Sequence, residues 1–383
     1  MDNSILSKAY QQPQTNILAS VCALAAKMDD VIDLSVGDPN FTTPQPIITA
    51  AFKTAQAGMT HYTAAEGLPE LRQAICDFYH TKYQLDFGPD QVLVTVGAEH
   101  ALFIALEALL DPGDEVIIPE PCFSPYLEQV KLANGTPVVV DGKAADGFKI
   151  DAGEIAKKIT SKTKAIIINT PNNPSGNVMT KEEEKALADL AVKHDLLIFS
   201  DEIYSDYVMP GKQFTPLAKF APDNTVIVSG MSKSFAMTGW RIGYLVGPDW
   251  LIRAANDVND AVTFSAPTMS QEAALYGLQH HDELVAPIVA TFQKRLNYLQ
   301  EELPKISWLD VSPVEGSIYV FADIRATGLS SVDFADQLLR KAGILVVPGL
   351  AFGKCGEGFV RIAATQPLDK LEAAVNKMKK LTW

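Results

Sequence analysis

The stretch Ser229-Gly-Met-Ser-Lys-Ser-Phe-Ala-Met-Thr-Gly-Trp-Arg-Ile-Gly243 decides how this chain is read. It follows Thr225-Val-Ile-Val228, an apolar β-branched run that predicts a buried strand. Lys233 stands just past the strand end among Ser, Gly, Ala, Phe and Met, not among the polar neighbours of a surface lysine. Such surroundings strip water from an ammonium and push its pKa down. A lysine of lowered pKa is a nucleophile toward carbonyl carbon, which points to a Schiff base. Arg241 and the hydroxyls of Ser229 and Ser232 suit a phosphate carried on the same carbonyl compound. An aldehyde that also bears a phosphate is pyridoxal phosphate. The plainer alternative is a lysine that snorkels at a strand-to-loop corner.

Composition fits such an enzyme. A chain of 383 residues, 47% apolar and 20% charged, exceeds what a single core spans, so two lobes are expected. The formal net charge of −14, with no Lys/Arg-rich run, argues against a nucleic-acid surface. Cys22, Cys76, Cys122 and Cys355 form no C-x-x-C pair and have no histidines at metal spacing. They read as free thiols in a reducing compartment, with no metal site. The first residues lack a basic segment followed by an apolar one, and no run of eighteen apolar residues exists. Neither secretion nor membrane spanning is expected, which leaves the cytoplasm.

The middle of the chain alternates strand and helix. Val92–Val96 leads to a helix from about Ala98 to Leu110, and Asp111-Pro-Gly-Asp turns into a strand at Glu115–Ile118. Ala165–Ile168 precedes a Pro/Asn-rich loop and a charged helix, Lys181 to His194; Leu196–Phe199 and Thr225–Val228 follow. Short, continuously apolar strands between amphipathic helices imply a mostly parallel sheet covered on both faces. Ligands in such sheets bind beyond the carboxyl ends of the strands. The last hundred residues read as a separate α+β lobe. A long helix spans Ala286 to Leu303, with strands near Trp308–Val311 and Ser317–Phe321. A helix over Val332–Ala342, strands near Ile344–Val347 and Gly358–Ile362, and a helix after Pro367 complete it.

Further residues carry chemistry at those strand ends. Asp201, in Phe199-Ser-Asp-Glu-Ile-Tyr204, can hold a proton on a pyridine nitrogen and so make the ring an electron sink, although a helix N-cap is an ordinary use for such an Asp. Tyr204 is placed to donate to the ring's phenolic oxygen. Asn173, in Asn169-Thr-Pro-Asn-Asn-Pro-Ser-Gly176, lies in a turn stiffened by its prolines and can offer an amide to that oxygen. Gly97-Ala98-Glu99 opens a helix, where bare N–H groups make a phosphate cradle. Arg361 is a charge inside the apolar Gly358-Phe-Val-Arg-Ile-Ala-Ala364, and its planar fork matches a carboxylate.

Taken together, these motifs resemble the class I/II aminotransferases, the aspartate aminotransferase-like enzymes of fold type I. The resemblance runs from Gly37 to Arg361. It implies an α/β fold with a mostly parallel seven-stranded sheet, helices on both faces, and a smaller α+β domain. It sets residues 42–285 as the large cofactor-binding domain and residues 1–41 with 286–383 as the small one. It assigns the Schiff base to Lys233, the pyridine nitrogen to Asp201, ring contacts to Tyr204 and Asn173, and an aromatic ring against the pyridine face to Phe123. Phosphate contacts fall to Gly97, Ala98, Glu99 and Arg241. Many relatives carry a serine where this chain has Gly230, so Ser229 or Ser232 stands in for that hydroxyl. Arg361 is implied for the substrate α-carboxylate, with Gly37 supplying a backbone contact opposite and Phe123 and Asn173 lining the pocket. Tyr62 is implied to reach the phosphate of a neighbouring subunit in a two-fold homodimer.

The implied reaction is ping-pong transfer of an amino group from an L-amino acid to a 2-oxo acid, with Lys233 moving the α-proton. β-Eliminating C–S lyases and carbon–carbon-cleaving enzymes share the same constellation, because the cofactor carries the hard chemistry. A non-enzymatic regulator with such a domain would need a DNA-binding module, and the chain begins too close to Gly37 to hold one. Aspartate-preferring relatives resemble this chain but carry a lysine where Glu99 stands. A carboxylate there repels a second one, so the expected donor is neutral, aromatic or sulfur-containing, with aspartate as the alternative. Turned away, Glu99 would instead serve the helix N-terminus.

Overall fold

The computed structural model describes residues 5–7, 10–11, 28 and 30–383. Cys22 and most of the segment before Asp30 lie outside the described residues.

In chain order the strands are β1 (Ile32–Asp33), β2 (Val92–Thr95), β3 (Glu115–Glu120), β4 (Thr136–Asp141), β5 (Thr163–Asn169), β6 (Leu197–Asp201) and β7 (Thr225–Gly230). They continue with β8 (Gly243–Val246), β9 (Asp310–Val311), β10 (Tyr319–Asp323), β11 (Ile344–Leu345), β12 (Val347–Pro348) and β13 (Phe359–Ala363). Seven of them form one sheet in the order β2-β8-β7-β6-β5-β3-β4, parallel except for β8, which runs antiparallel to both neighbours. This is the mostly parallel seven-stranded sheet implied by the sequence.

Strands β2, β6, β7 and β8 are buried along their whole length, which is why each reads as an unbroken apolar run. One face packs on the helices Ala98–Leu109 and Asp249–Val262 through Leu102, Ala105, Leu251 and Ala255. Elsewhere Leu187, Ala188 and Ala191 of the helix Lys181–His194 cover Ile166 and Ile198. That helix begins where the sequence predicts because Thr180 Oγ accepts from the Glu183 amide at 3.2 Å while Glu183 returns a bond to the Thr180 amide at 2.8 Å.

A second sheet, β12-β13-β10-β9, is antiparallel, and β1 pairs with β11 in parallel beside it. Their shared core includes Leu34, Phe292, Leu296, Phe334 and Leu371. Leu34 of the N-terminal segment belongs to this core, which also takes in Ile203, Tyr204 and Tyr207 from the loop after β6. Several elements differ from the sequence reading, and three have a plain physical reason. Ile344–Val347 is not one strand: its first half pairs with β1 and its second with β13. The edge strand β4 was hidden by Pro137 and by its half-buried positions. The long helix starts at His281, not Ala286, and takes Pro287 into its interior. Proline lacks an N–H and reads as a helix start. Here the turn before it is held by other bonds, Leu284 N to His280 O at 3.1 Å among them.

Among the described residues no helix is long and apolar enough to cross a membrane. Cys76, Cys122 and Cys355 are free thiols.

Candidate active site

Six of the residues singled out in the sequence reach one rim of the large sheet. Gly97 follows β2, Phe123 follows β3, Asn173 follows β5, Asp201 ends β6, and Lys233 follows β7. Because β8 runs the opposite way, Arg241, just before its start, arrives at the same rim. That is the crevice where open parallel sheets bind ligands.

The backbone is tight at the Arg241 end. Gly97 has φ +89°, and a Cβ there would lie 2.7 Å from an Arg241 guanidinium nitrogen. A Cβ on Gly243 would sit 2.5 Å from the Ala98 amide nitrogen. Arg241 is exposed, and its Nη1 donates to Thr238 O at 3.0 Å. The guanidinium is thus held over the N-terminus of the helix Ala98–Leu109, whose first amides have no intrahelical partner. Gly230 explains itself by the same crowding: a Cβ would meet Gly243 Cα and Ile242 O, each at 2.8 Å. Ser229 is buried in β7 opposite Tyr244, whereas Ser232 is only half-buried in the turn beyond.

Asp201 is buried. Its Oδ2 accepts from the Tyr126 hydroxyl and its Oδ1 from the Ile203 amide at 3.1 Å. Burial pushes the carboxyl up to about 6, against the pull of those two donors and of the Lys233 ammonium; the Glu99 charge adds to the rise. Glu99 is exposed in the first turn of its helix, yet close enough for its charge to be felt at Asp201. Phe123 packs edge-on to Tyr126, with ring centroids 5.6 Å apart. Lys233 is half-buried, and its Nζ donates to Gly37 O at 2.6 Å. The backbone oxygen of Gly37 therefore faces the lysine here.

Arg361 is buried in β13. Its Nη1 donates to Asn173 Oδ1 at 2.9 Å and its Nη2 to Ser35 O. The guanidinium lies between the Tyr319 ring, 4.3 Å away, and the Phe352 ring, 4.8 Å away. Among the described residues its Nε has no partner. Asn173 is itself fixed by its amide, which donates to Asn169 Oδ1 at 2.7 Å. Tyr204 shares a hydrogen bond with Tyr319, hydroxyl to hydroxyl, at 2.9 Å. Burial and that neighbour push the Tyr204 hydroxyl well above its ordinary pKa, so it keeps its proton and can donate.

Tyr62 stands apart from this cluster: it is 85% exposed and rests edge-on against Phe264 at 4.9 Å. The sequence reading missed Tyr126 and Tyr319. Tyr126 closes the very segment that carries Phe123, and Tyr319 sits in the string Gly316-Ser-Ile-Tyr319, whose glycine lies against Tyr207 O and the Val178 side chain. Gly37 also depends on Tyr319, because a Cβ there would lie 1.9 Å from the tyrosine hydroxyl. Among the described residues no cluster of His, Cys, Asp and Glu is arranged to hold a metal.

An amine, a buried carboxylate at the ring end and an arginine over a helix N-terminus are the donor set that an aldehyde, a pyridine nitrogen and a phosphate require, so these residues fit pyridoxal phosphate. The comparisons with known proteins agree. The family model of the class I and II aminotransferases matches residues 29–378. The chain is 38% identical to an aspartate aminotransferase of Pyrococcus horikoshii, over 93% of this chain and 92% of that one. It is 36% identical to aromatic-amino-acid aminotransferase 2 of Thermococcus litoralis, over 98% of each. The structure superposes on Thermus thermophilus aspartate aminotransferase with maleate at a TM-score of 0.93 and 36% identity, covering 98% of this chain and 99% of that one. These matches span the rim and both sheets, and on them the chain belongs to the class I and II aminotransferases, the pyridoxal-phosphate-dependent transaminases.

Proposed function

We propose that this aminotransferase carries pyridoxal phosphate on Lys233 and moves the amino group of a neutral, aromatic or sulfur-containing L-amino acid to a 2-oxo acid in ping-pong fashion. Asp201 holds a proton on the pyridine nitrogen; at pH 7 a carboxyl with a pKa of about 6 is mostly ionised and pairs with that charge. Tyr204 and Asn173 would hold the phenolic oxygen, and Phe123 would pack against the ring. Arg241, the amides of Gly97, Ala98 and Glu99, and a hydroxyl take the phosphate. Ser232 suits that hydroxyl better than Ser229, which is buried in its strand opposite Tyr244. When bound, the cofactor supplies an electron sink for the α-carbon.

The chain's own groups do the rest. Arg361 receives the α-carboxylate, its fork already set by Asn173 and Ser35. Lys233, once released, takes the proton from the α-carbon and returns it to the other side of the C–N unit; Gly37 O holds its ammonium in reach. We read residues 42–285 as the large domain and 1–41 with 286–383 as the small one. Arg361 and Lys233 then lie on different domains, so substrate draws them together. We also read the enzyme as a cytoplasmic homodimer in which Tyr62 reaches the neighbouring site.

Glu99 carries the donor assignment. It stands exposed in the first turn of the helix that opens at the rim carrying Lys233, which supports a place beside the substrate pocket, where a second carboxylate on the substrate would be repelled. The test is kcat/KM for aspartate, phenylalanine, tyrosine and methionine, in the wild type and in Glu99→Lys. The wild type favours one or more of the three neutral donors over aspartate, and Glu99→Lys raises the aspartate value by about tenfold or more. A wild-type value for aspartate above all three others ends this reading. The names of several relatives, aspartate aminotransferases, favour aspartate as the second reading, and the same panel decides.

A further inference from the structure

A buried cluster behind the lysine turn has no part in the chemistry above. Asp206 follows Tyr204 on the loop after β6, and its side chain is 7% exposed. An ammonium, an imidazole and a hydroxyl from three other segments converge on it. Ser234, the residue after Lys233, donates its hydroxyl to Asp206 Oδ2 at 2.6 Å. His281 Nε2 stands 3.1 Å from the same oxygen, at the start of the helix His281–Glu302, and its Nδ1 stands 2.9 Å from Asp282. Lys82, from the helix Pro69–Tyr83, bonds Oδ1. Burial resists ionisation of Asp206, but His281 and Lys82 together hold its carboxyl well below the ordinary carboxylate range. Next to it, the Tyr207 hydroxyl donates to Lys233 O at 2.7 Å.

We propose that Asp206 is a positioning residue for Lys233: through Ser234 it pins the turn 231–237, and through His281 it ties that turn to the helix His281–Glu302. The physical need is plain. Within the turn the backbone bonds are Phe235 N to Met231 O and Ala236 N to Lys233 O at 3.3 Å each and Met237 N to Ser232 O at 3.1 Å, with Ala236 at φ +51°; from outside, Thr43 Oγ1 donates to Ala236 O at 2.7 Å. A proton-moving amine must stay within hydrogen-bond reach of its carbon, and small displacements cost rate steeply. An ionised carboxylate makes a stronger anchor than a neutral acceptor, and the Ser234 hydroxyl bonds it directly. The same loop thus delivers Asp201 and Tyr204 to the ring while Asp206 and Tyr207 fix the lysine.

The proposal rests on the reading that Lys233 carries the cofactor, and the experiment separates the two. Full-length Asp206→Asn and Ser234→Ala are loaded with pyridoxal phosphate, reduced with borohydride and mapped by peptide mass spectrometry. A pyridoxyl group on another lysine in the wild type would refute the Lys233 reading itself. With Lys233 labelled, three further readouts follow. In both variants kcat falls about tenfold or more while KM for the amino donor stays within about twofold. Amide hydrogen exchange rises in the peptide covering 231–237. The pH midpoint of the bound cofactor's absorbance moves. Lys82→Met loosens the same carboxylate without cutting its link to the turn, and its kcat stays within about twofold of wild type. Wild-type kcat and exchange in Ser234→Ala overturn the proposal, even if Asp206→Asn fails to fold. So does Lys82→Met if it lowers kcat as much as Ser234→Ala, because the cluster would then act only on stability.

Discussion

Replacing Tyr126 with phenylalanine removes one hydroxyl and leaves Asp201 buried with the Ile203 amide as its remaining hydrogen-bond donor. Burial already drives that carboxyl up to about 6 against the help of both donors. A hydrogen bond to a charged acceptor is worth about 1.5–3 kcal/mol, and each pKa unit is about 1.4 kcal/mol, so the loss is one to two units. The carboxyl of Tyr126→Phe should then titrate near 7 to 8, and its ionised fraction at pH 7 falls from about nine in ten to between about one half and one in ten. Because Asp201 must be ionised to hold a proton on the pyridine nitrogen, cofactor uptake by the cofactor-free protein weakens on the acid side as it protonates. Equilibrium uptake followed by absorbance between pH 5 and 9 reads this directly. The cofactor's own ionisations are common to both proteins and cancel in the comparison. The acid limb of the variant should lie about one to two units above that of the wild type, with the alkaline plateaus equal. Coincident acid limbs would refute the reasoning, and so would a uniform loss of affinity at every pH.

Two other perturbations probe parts of the molecule farther from the ring. Glu184, in the first turn of the helix Lys181–His194, is fully buried with neither carboxyl oxygen partnered among the described residues, and burial pushes it up to about 9. An acid whose folded pKa is raised holds its proton better in the folded state, so stability is complete below the ordinary value near 4.5 and is lost as pH rises toward 9. Glu184→Gln should raise the thermal midpoint by a few degrees at pH 8 and leave it nearly unchanged at pH 5; equal curves at both pH values would contradict this. Glu202, buried and pushed up to about 8, keeps part of the slope in the variant. Tyr62→Phe should weaken cofactor retention about tenfold while sedimentation still shows a dimer. A fully active wild-type monomer at assay concentration would remove Tyr62 from the account.

Much of this was legible because burial writes itself into sequence. Strands covered on both faces, such as Leu197–Asp201 and Thr225–Gly230, read as unbroken apolar runs, and a charge in such a setting, Lys233 or Arg361, stands out. Helix bounds were sharp where a capping residue marked them, as at Thr180. What stayed hidden depends on pairings between distant residues. Tyr126 matters through Asp201, Tyr319 through Tyr204 and Arg361, and Asp206 through Ser234 and His281, and no local pattern announces any of these. The start of the helix at His281 was missed for the same reason: its first turn draws support from Asp206, far away in the chain, while Pro287 argues locally for a later start. Ile344–Val347 looks like one strand because local patterning cannot show that its halves join different sheets.

The claim on which everything else depends is that the Lys233 amine carries the cofactor. Borohydride reduction of the loaded wild-type enzyme, followed by proteolysis and mass spectrometry, tests it in one measurement. The account predicts a single pyridoxyl group, on Lys233, and its absence together with nearly all turnover in Lys233→Ala. A pyridoxyl group on any other lysine of the wild type, or full turnover in Lys233→Ala, would contradict it.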